Sequence, residues 1–169
     1  MVLDEAHHLA QRRNGYRQLL KFLGGFKGQI LALTATAADD VWQKIKENVS
    51  FVTLVIDKHI RENLILDDKR GIKEKIAWLA ELAAGGEKSI VYVNSRRKAV
   101  EIAQSLRERL QNEDLKKQIC YYHGGLETRD RKMIENSFRD GKLKFIVSTS
   151  AFGEGIDISD IRHVVLYHL

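Results

Sequence analysis

Proline is absent from the 169-residue chain, and cysteine occurs once, as Cys120. The first absence leaves no Pro-rich linker. The second excludes an intrachain disulfide framework and any multi-cysteine zinc site. No apolar run approaches the ~18–20 residues that a membrane span needs. The opening Met1-Val2-Leu3-Asp4-Glu5 lacks the charged and apolar regions of a signal peptide. No low-complexity stretch and no fixed-period repeat is present. Charge of one sign is also lacking, because 28 Lys/Arg stand against 23 Asp/Glu for a net of +5. The excess lies mostly late: 7 basic against 6 acidic residues up to position 57, then 21 against 17. That balance is compatible with a polyanionic partner without demanding one, since solvated helix faces give similar totals. What is present is ordinary globular composition, 44% hydrophobic and 30% charged. These features predict a soluble, cytoplasmic, reduced protein with no membrane partner.

Two kinds of segment alternate. Short β-branched runs recur at residues 29–33, 51–56, 89–93, 119–122, 145–147 and 163–167. Most are continuous rather than alternating, as strands buried on both faces read. Helical periods lie between them. Val41, Ile45 and Val49 mark one helix, with Asp39 and Asp40 suited to its first turn. A second follows Ile72, Ile76, Leu79, Ala80 and Ala83 and stops at Gly85-Gly86. A third follows Ala99, Ile102, Ala103, Leu106 and Leu110. The fourth follows Met133, Ile134 and Phe138 and ends near Asp140-Gly141. Such alternation predicts an α/β protein, a parallel sheet with helices on both faces. The polar segment Asp57–Asp68 breaks the pattern and places a lobe boundary near Asp57–Arg61. Residues 1–57 are then too few for a complete α/β lobe.

The chemistry-bearing residues sit at strand exits. Asp4 and Glu5 follow an apolar strand end, where ligands of parallel α/β folds bind. One carboxylate can hold Mg²⁺ through water while its neighbour activates a water; a helix N-terminus bearing acids is the alternative. Thr34 and Thr36 follow the next strand and either bond the acidic pair or, for Thr36, cap a helix. Ser148-Thr149-Ser150 leads into Gly153-Glu154-Gly155-Ile156-Asp157, a set suited to phosphate and ribose contact or to an ordinary turn. His123-Gly124-Gly125, with Arg129 and Arg131 nearby, and Asn94-Ser95-Arg96 repeat the arrangement. Parallel strands would bring all three exits to one sheet edge, as donors to a sugar-phosphate chain or as plain N-caps.

Taken in order, Asp4-Glu5-Ala6-His7, Ala32–Ala37, Ile90–Arg96, Tyr122–Leu126 and Ala151–Asp157 resemble the later motifs of superfamily 2 helicases. The similarity is greatest to RecQ-like ATP-dependent DNA helicases, and Arg61-Glu62-Asn63-Leu64 resembles the linker of that branch. The resemblance implies two RecA-like lobes of the P-loop NTPase kind. Residues 1–57 would form the C-terminal part of the first, which is partial, and residues 58–169 the second without its last motif. It implies ATP and Mg²⁺ as cofactors. Asp4 would hold Mg²⁺ through water, Glu5 would activate the attacking water, and His7, Thr34 and Thr36 would couple the nucleotide to the track. Gly153, Gly155 and Asp157 would approach the nucleotide. Asn94, Ser95, Arg96, His123, Gly124, Arg129 and Thr149 would line single-stranded or partly duplex DNA, which is favoured over RNA. DNA repair and recombination are the implied setting.

Departures from that pattern shape the expectation. None of the 169 residues forms a Gly-x-x-x-x-Gly-Lys-Ser/Thr phosphate loop or an arginine-finger motif. Residues 8–16 are shorter than the family's aromatic-rich loop and carry arginines. The expectation is therefore a helicase fragment, inactive in ATP hydrolysis by itself and lacking the N-terminal lobe of its parent. A non-catalytic RecA-like module of a larger DNA-processing protein such as a nuclease, and an RNA helicase, are the alternatives. Cys120, Trp42 and Trp78 read as packing residues.

Overall fold

The computed structural model describes residues 1–10, 14–35, 38–48, 53–57, 62–153 and 158–168. The chain divides into two compact units, Met1–Leu64 and Ile65–Leu169. In the first, strands β1 (Val2–Leu3) and β2 (Leu31–Ala32) pair in parallel, Val2 opposite Leu31 and Leu3 opposite Ala32. A 3-10 turn over Ala6–Ala10 and helices α1 (Asn14–Gly25) and α2 (Asp39–Asn48) pack around them. Leu3, Ala6, Leu9, Leu23 and Ile45 form the core, with Val41 and Trp42 half-buried against it. Asp39 and Asp40 open α2 and Lys46 closes it, each charge opposing the helix dipole favourably.

The second unit is a four-stranded parallel sheet of order β4-β5-β3-β6. Its elements run α3 (Lys75–Ala84), β3 (Ser89–Tyr92), α4 (Arg96–Arg109), α5 (Glu113–Lys117), β4 (Ile119–Tyr122), α6 (Thr128–Arg139), β5 (Phe145–Ser148) and β6 (His163–Leu166). Strand parity divides the core into two layers. Val91, Val93, Ile119, Phe145 and Val147 face α3 and α4, meeting Leu79, Ile102 and Leu106. Ile90, Tyr122 and Ile146 face the other side and meet Ile134 and Phe138 of α6 with Phe152. The central strands β3 and β5 are buried on both faces, as their continuous apolar runs predict. Edge strand β6 buries one face only, leaving Val164 and Leu166 exposed.

An ion pair between a buried lysine and an exposed aspartate closes the sheet edge at which the strands start. Lys88 precedes β3, is 8% exposed, and donates to Asp160 at 2.7 Å and to the Arg139 carbonyl at the end of α6 at 2.9 Å. A cation at a helix C-terminus is well placed, and the desolvated ammonium is fully partnered.

Several expectations change. Thr53–Ile56, read as part of a strand, forms none, and Val55 is 87% exposed. A β-branched run becomes a strand only where a neighbour supplies backbone partners, and no described residue does so here. Leu31 and Leu33 are exposed, so β2 is not buried on both faces. Met133 points to solvent while Ile134 and Phe138 carry the apolar stripe of α6. Helices α1 and α5 are additional to the four read from periodicity: Leu19 and Leu23 of α1, four residues apart, pack in the first core, whereas the five-residue α5 is too short to show a period. Asn112 caps the five-residue α5, its side-chain oxygen accepting from Asp114 and Leu115 N–H. Cys120 is half-buried, packed with the Phe138 layer, and burial pushes its thiol pKa up. Among the described residues no helix is long and apolar enough to cross a membrane.

Candidate nucleotide and nucleic-acid sites

In the first unit, β1 ends at Leu3 and the chain turns sharply. Glu5 has φ +50°, a left-handed conformation that non-glycine residues seldom hold. Three backbone bonds fix it: Leu33 N–H to Leu3 carbonyl at 2.8 Å, Ala6 N–H to Leu33 carbonyl at 2.8 Å, and His8 N–H to Glu5 carbonyl at 2.9 Å. The Asp4 carboxylate accepts from the Glu5 N–H at 2.9 Å. His7 Nδ1 lies 3.1 Å from Thr34 Oγ1 and 3.2 Å from Glu5 Oε2. A carboxylate only accepts, so the Glu5 contact requires a proton on Nδ1, which the same nitrogen also presents to the hydroxyl. The turn thus brings Asp4, Glu5, His7 and Thr34 together. Thr36 lies outside the described residues.

Among the described residues no group of three or more His, Cys, Asp or Glu is arranged as a metal cage. Two adjacent exposed carboxylates still fit Mg²⁺, which keeps most of its waters and uses one or two carboxylates together with substrate phosphates.

In the second unit, three strand exits meet at one edge. After β3, Asn94 is exposed, the Ser95 hydroxyl accepts from Lys98 N–H at 3.2 Å, and Arg96 begins α4. Ser95 is therefore an N-cap whose own O–H proton remains available to donate. After β4 come His123, Gly124 and Gly125. After β5 the Thr149 N–H donates to the Tyr122 carbonyl at 3.2 Å, and the buried Ser148 hydroxyl bonds the same carbonyl at 3.0 Å. A Cβ at Gly124 would lie 3.8 Å from that of Ala151, and one at Gly125 would lie 2.9 Å from an Arg96 guanidinium nitrogen. Arg96, His123, Gly124 and Thr149 therefore share one edge. Arg129 stands exposed in the first turn of α6, and among the described residues no hydrogen bond or ion pair joins it to that group. Gly153 is described, whereas Gly155 and Asp157 lie outside the described residues.

Two features escaped the sequence. The Tyr92 hydroxyl donates to the Phe152 carbonyl at 2.8 Å, and burial raises its pKa. Beneath it Gly153 has φ +126°, and a Cβ there would lie 2.9 Å from the Tyr92 oxygen, so both conformation and space demand glycine. Tyr92 therefore fixes the backbone at Phe152 and Gly153. Its signal was a lone polar-tipped aromatic in an aliphatic strand, two residues before Asn94. Tyr92→Phe is expected to cost about 0.5–1.5 kcal/mol, the usual net value of one hydrogen bond. Urea unfolding checks this, and an unchanged midpoint would show the bond to be idle. The second feature lies on α6. The Tyr122 hydroxyl donates to Glu135 at 2.5 Å, and burial first, then the Glu135 carboxylate, pushes its pKa up to about 12. Beside it Arg131 donates to Thr128 Oγ1 at 3.2 Å.

Comparison with known proteins bears on the family and the fold. Residues 74–169 match the helicase conserved C-terminal domain family. The chain is 33% identical over 178 residues to the ATP-dependent DNA helicase RecQ of Haemophilus influenzae, covering 100% of this chain and 28% of that protein. It is 34% identical over 178 residues to RecQ of Pasteurella multocida, again covering 100% of this chain and 27% of that protein. Saccharomyces cerevisiae Dbp5 bound to RNA and ADP BeF3 superposes with a TM-score of 0.76 at 25% identity, covering 99% of this chain and 44% of Dbp5. The chain spans little more than a quarter of these curated relatives, and its fold is RecA-like α/β. From matched domain, motif order and parallel sheet together, this chain belongs to the helicase conserved C-terminal domain family, in the RecQ-like branch of superfamily 2.

Proposed function

We propose that this chain is part of an ATP-dependent DNA helicase or translocase that couples ATP hydrolysis to movement on single-stranded DNA. The observation that carries the reading is the shared edge of the second unit, where Arg96, His123, Gly124 and Thr149 gather from three strand exits. A cation, an imidazole, a hydroxyl and bare backbone suit a phosphodiester chain and carry no base-specific code. Asn94 and Ser95 extend that edge, and Arg129, exposed in the first turn of α6, adds a charge. The names of the RecQ relatives support DNA as the strand. The RNA held by Dbp5 favours a second reading, in which the strand is RNA.

In this reading residues 1–57 belong to the first RecA-like lobe and residues 58–169 to the second. Asp4 would hold Mg²⁺ through water, and the chemistry such an ion would supply there is neutralisation of phosphate charge. Glu5 takes a proton from the attacking water, held beside His7 and Thr34 so that the carboxylate is oriented before substrate arrives. His7, Thr34 and Thr36 pass the state of that site to the strand, and Gly153, Gly155 and Asp157 approach the nucleotide. The 169 residues carry no phosphate loop or arginine finger, so by themselves they do not hydrolyse ATP. DNA repair and recombination are the setting that follows.

Fluorescence anisotropy with a labelled single-stranded DNA oligonucleotide, and its RNA counterpart, tests the strand. Arg96→Ala and Thr149→Ala are each expected to weaken binding and to lower the slope of log affinity against log salt by about 0.7, the value of one single-strand phosphate contact. A residue whose loss leaves the slope unaltered is not on the track. Tighter binding of RNA than DNA at every salt concentration would promote the second reading.

A further inference from the structure

Gly125 is the point at which two of the strand exits touch. A Cβ built on it would lie 2.9 Å from an Arg96 guanidinium nitrogen, 3.3 Å from the guanidinium carbon and 3.3 Å from His123 Nδ1. Its N–H also donates to His123 Nδ1 at 3.2 Å. A backbone N–H only donates, so Nδ1 carries the lone pair and a neutral ring holds its proton on Nε2. The ring is further held by stacking on Tyr121, with centroids 5.7 Å apart and planes at 21°. Gly125 does not have a positive φ, so its backbone conformation is one that alanine also adopts. Its bareness therefore answers a need for space and not for dihedral freedom, and the neighbour that fills the space is a cation.

We propose that Gly125 is a positioning residue, whose missing side chain seats the Arg96 guanidinium and whose amide sets the His123 tautomer, giving a paired donor set for one phosphodiester. The inference deepens the strand-binding reading and rests on it. Arg96 supplies a permanent charge with a planar fork of donors, and His123 supplies a neutral Nε2–H beside it. A methyl group at position 125 collides with the guanidinium. That group ends a flexible side chain, so the arginine yields and the backbone stays. Gly125→Ala then acts on DNA through Arg96 without removing any donor itself.

The test uses the 169-residue chain, Gly125→Ala, Arg96→Ala and the double variant, each checked by circular dichroism for the wild-type fold. Anisotropy with a fluorescein-labelled oligo-dT strand is measured from low to high salt. Gly125→Ala is expected to lower the log–log slope by about 0.7 and to weaken binding about five-fold near 0.1 M salt, matching Arg96→Ala. The double variant is expected to bind no more weakly than Arg96→Ala alone. Wild-type affinity for Gly125→Ala, or a loss that adds in full to that of Arg96→Ala, would overturn the proposal. Nitrogen-15 NMR of the DNA-free chain gives an independent readout. His123 is expected to show an unprotonated Nδ1 with the proton on Nε2, and the Arg96 Nε–H signal to shift in Gly125→Ala. A protonated Nδ1, or an unmoved Arg96 signal, overturns the proposal while leaving the strand-binding reading intact. Absence of oligonucleotide binding by the wild-type chain, with both NMR results as expected, overturns the strand-binding reading and the phosphodiester role with it.

Discussion

Replacing Glu5 by Gln, in a chain that also carries a phosphate loop and an arginine finger, is expected to preserve ATP binding and to slow hydrolysis about 10²–10⁴-fold, the usual contribution of a positioned general base. The substitution keeps the size of the side chain and removes its charge and basicity. Glu5 sits at φ +50° between Asp4, whose carboxylate takes the Glu5 N–H, and His7, whose Nδ1 lies 3.2 Å from the Glu5 carboxylate. A non-glycine residue in that conformation costs about 1–3 kcal/mol, and such strain persists where the surroundings over-determine it. Here the bonds from Leu33, Ala6 and His8 do so. Phosphate release and nucleotide affinity, measured on the same preparation, separate the two effects. Turnover at the wild-type rate would remove Glu5 from the role of base, and loss of nucleotide binding would move it to the role of ligand.

Phe138→Ala is expected to destabilise the second unit by about 3–5 kcal/mol, the range for emptying a buried aromatic site. Domains of ordinary size hold only about 5–15 kcal/mol in total, so the variant loses a large share of its stability. Phe138 is fully buried, meets Phe152 edge-on at 5.7 Å, and has the Lys88 ammonium 5.6 Å from its ring centroid. Its removal therefore frees three things at once: the α6 layer, the Lys88 staple, and the wall behind Phe152, whose carbonyl receives the Tyr92 hydroxyl. Urea unfolding read by Trp78 fluorescence, in a background with Trp42 replaced by Phe, reports the second unit alone. A loss below about 1 kcal/mol would mean that Ile134 and Tyr122 close the gap by repacking.

Helix α4 shows how far sequence reaches. Ala99, Ile102, Ala103 and Leu106 recur at helical spacing, and all four are buried against the sheet. Ser95 stands where a cap belongs and serves as one. Local signals of this kind depend on residues a few positions apart, and each element supplies them itself. Thr53–Ile56 shows the opposite. Its composition is that of a strand, yet strand formation needs a partner that composition does not provide.

The candidate site divides in the same way. The residue types at strand exits, and the order of the motifs that resemble superfamily 2 helicases, are properties of the sequence alone. So is the parallel α/β class, because long buried runs separated by helices admit few other packings. The strand order β4-β5-β3-β6 belongs to the tertiary structure, since each pairing joins segments far apart in the chain. That order sets the exits of β3, β4 and β5 side by side, which brings Arg96 over Gly125 and Thr149 to the Tyr122 carbonyl. The left-handed turn at Glu5 is likewise imposed from outside, by hydrogen bonds that reach Leu33 across the β1–β2 pair. Sequence determined which chemical groups stand at the strand ends. Only the folded chain decided which of them touch, because contact across a sheet depends on register and neighbour order that no local pattern encodes.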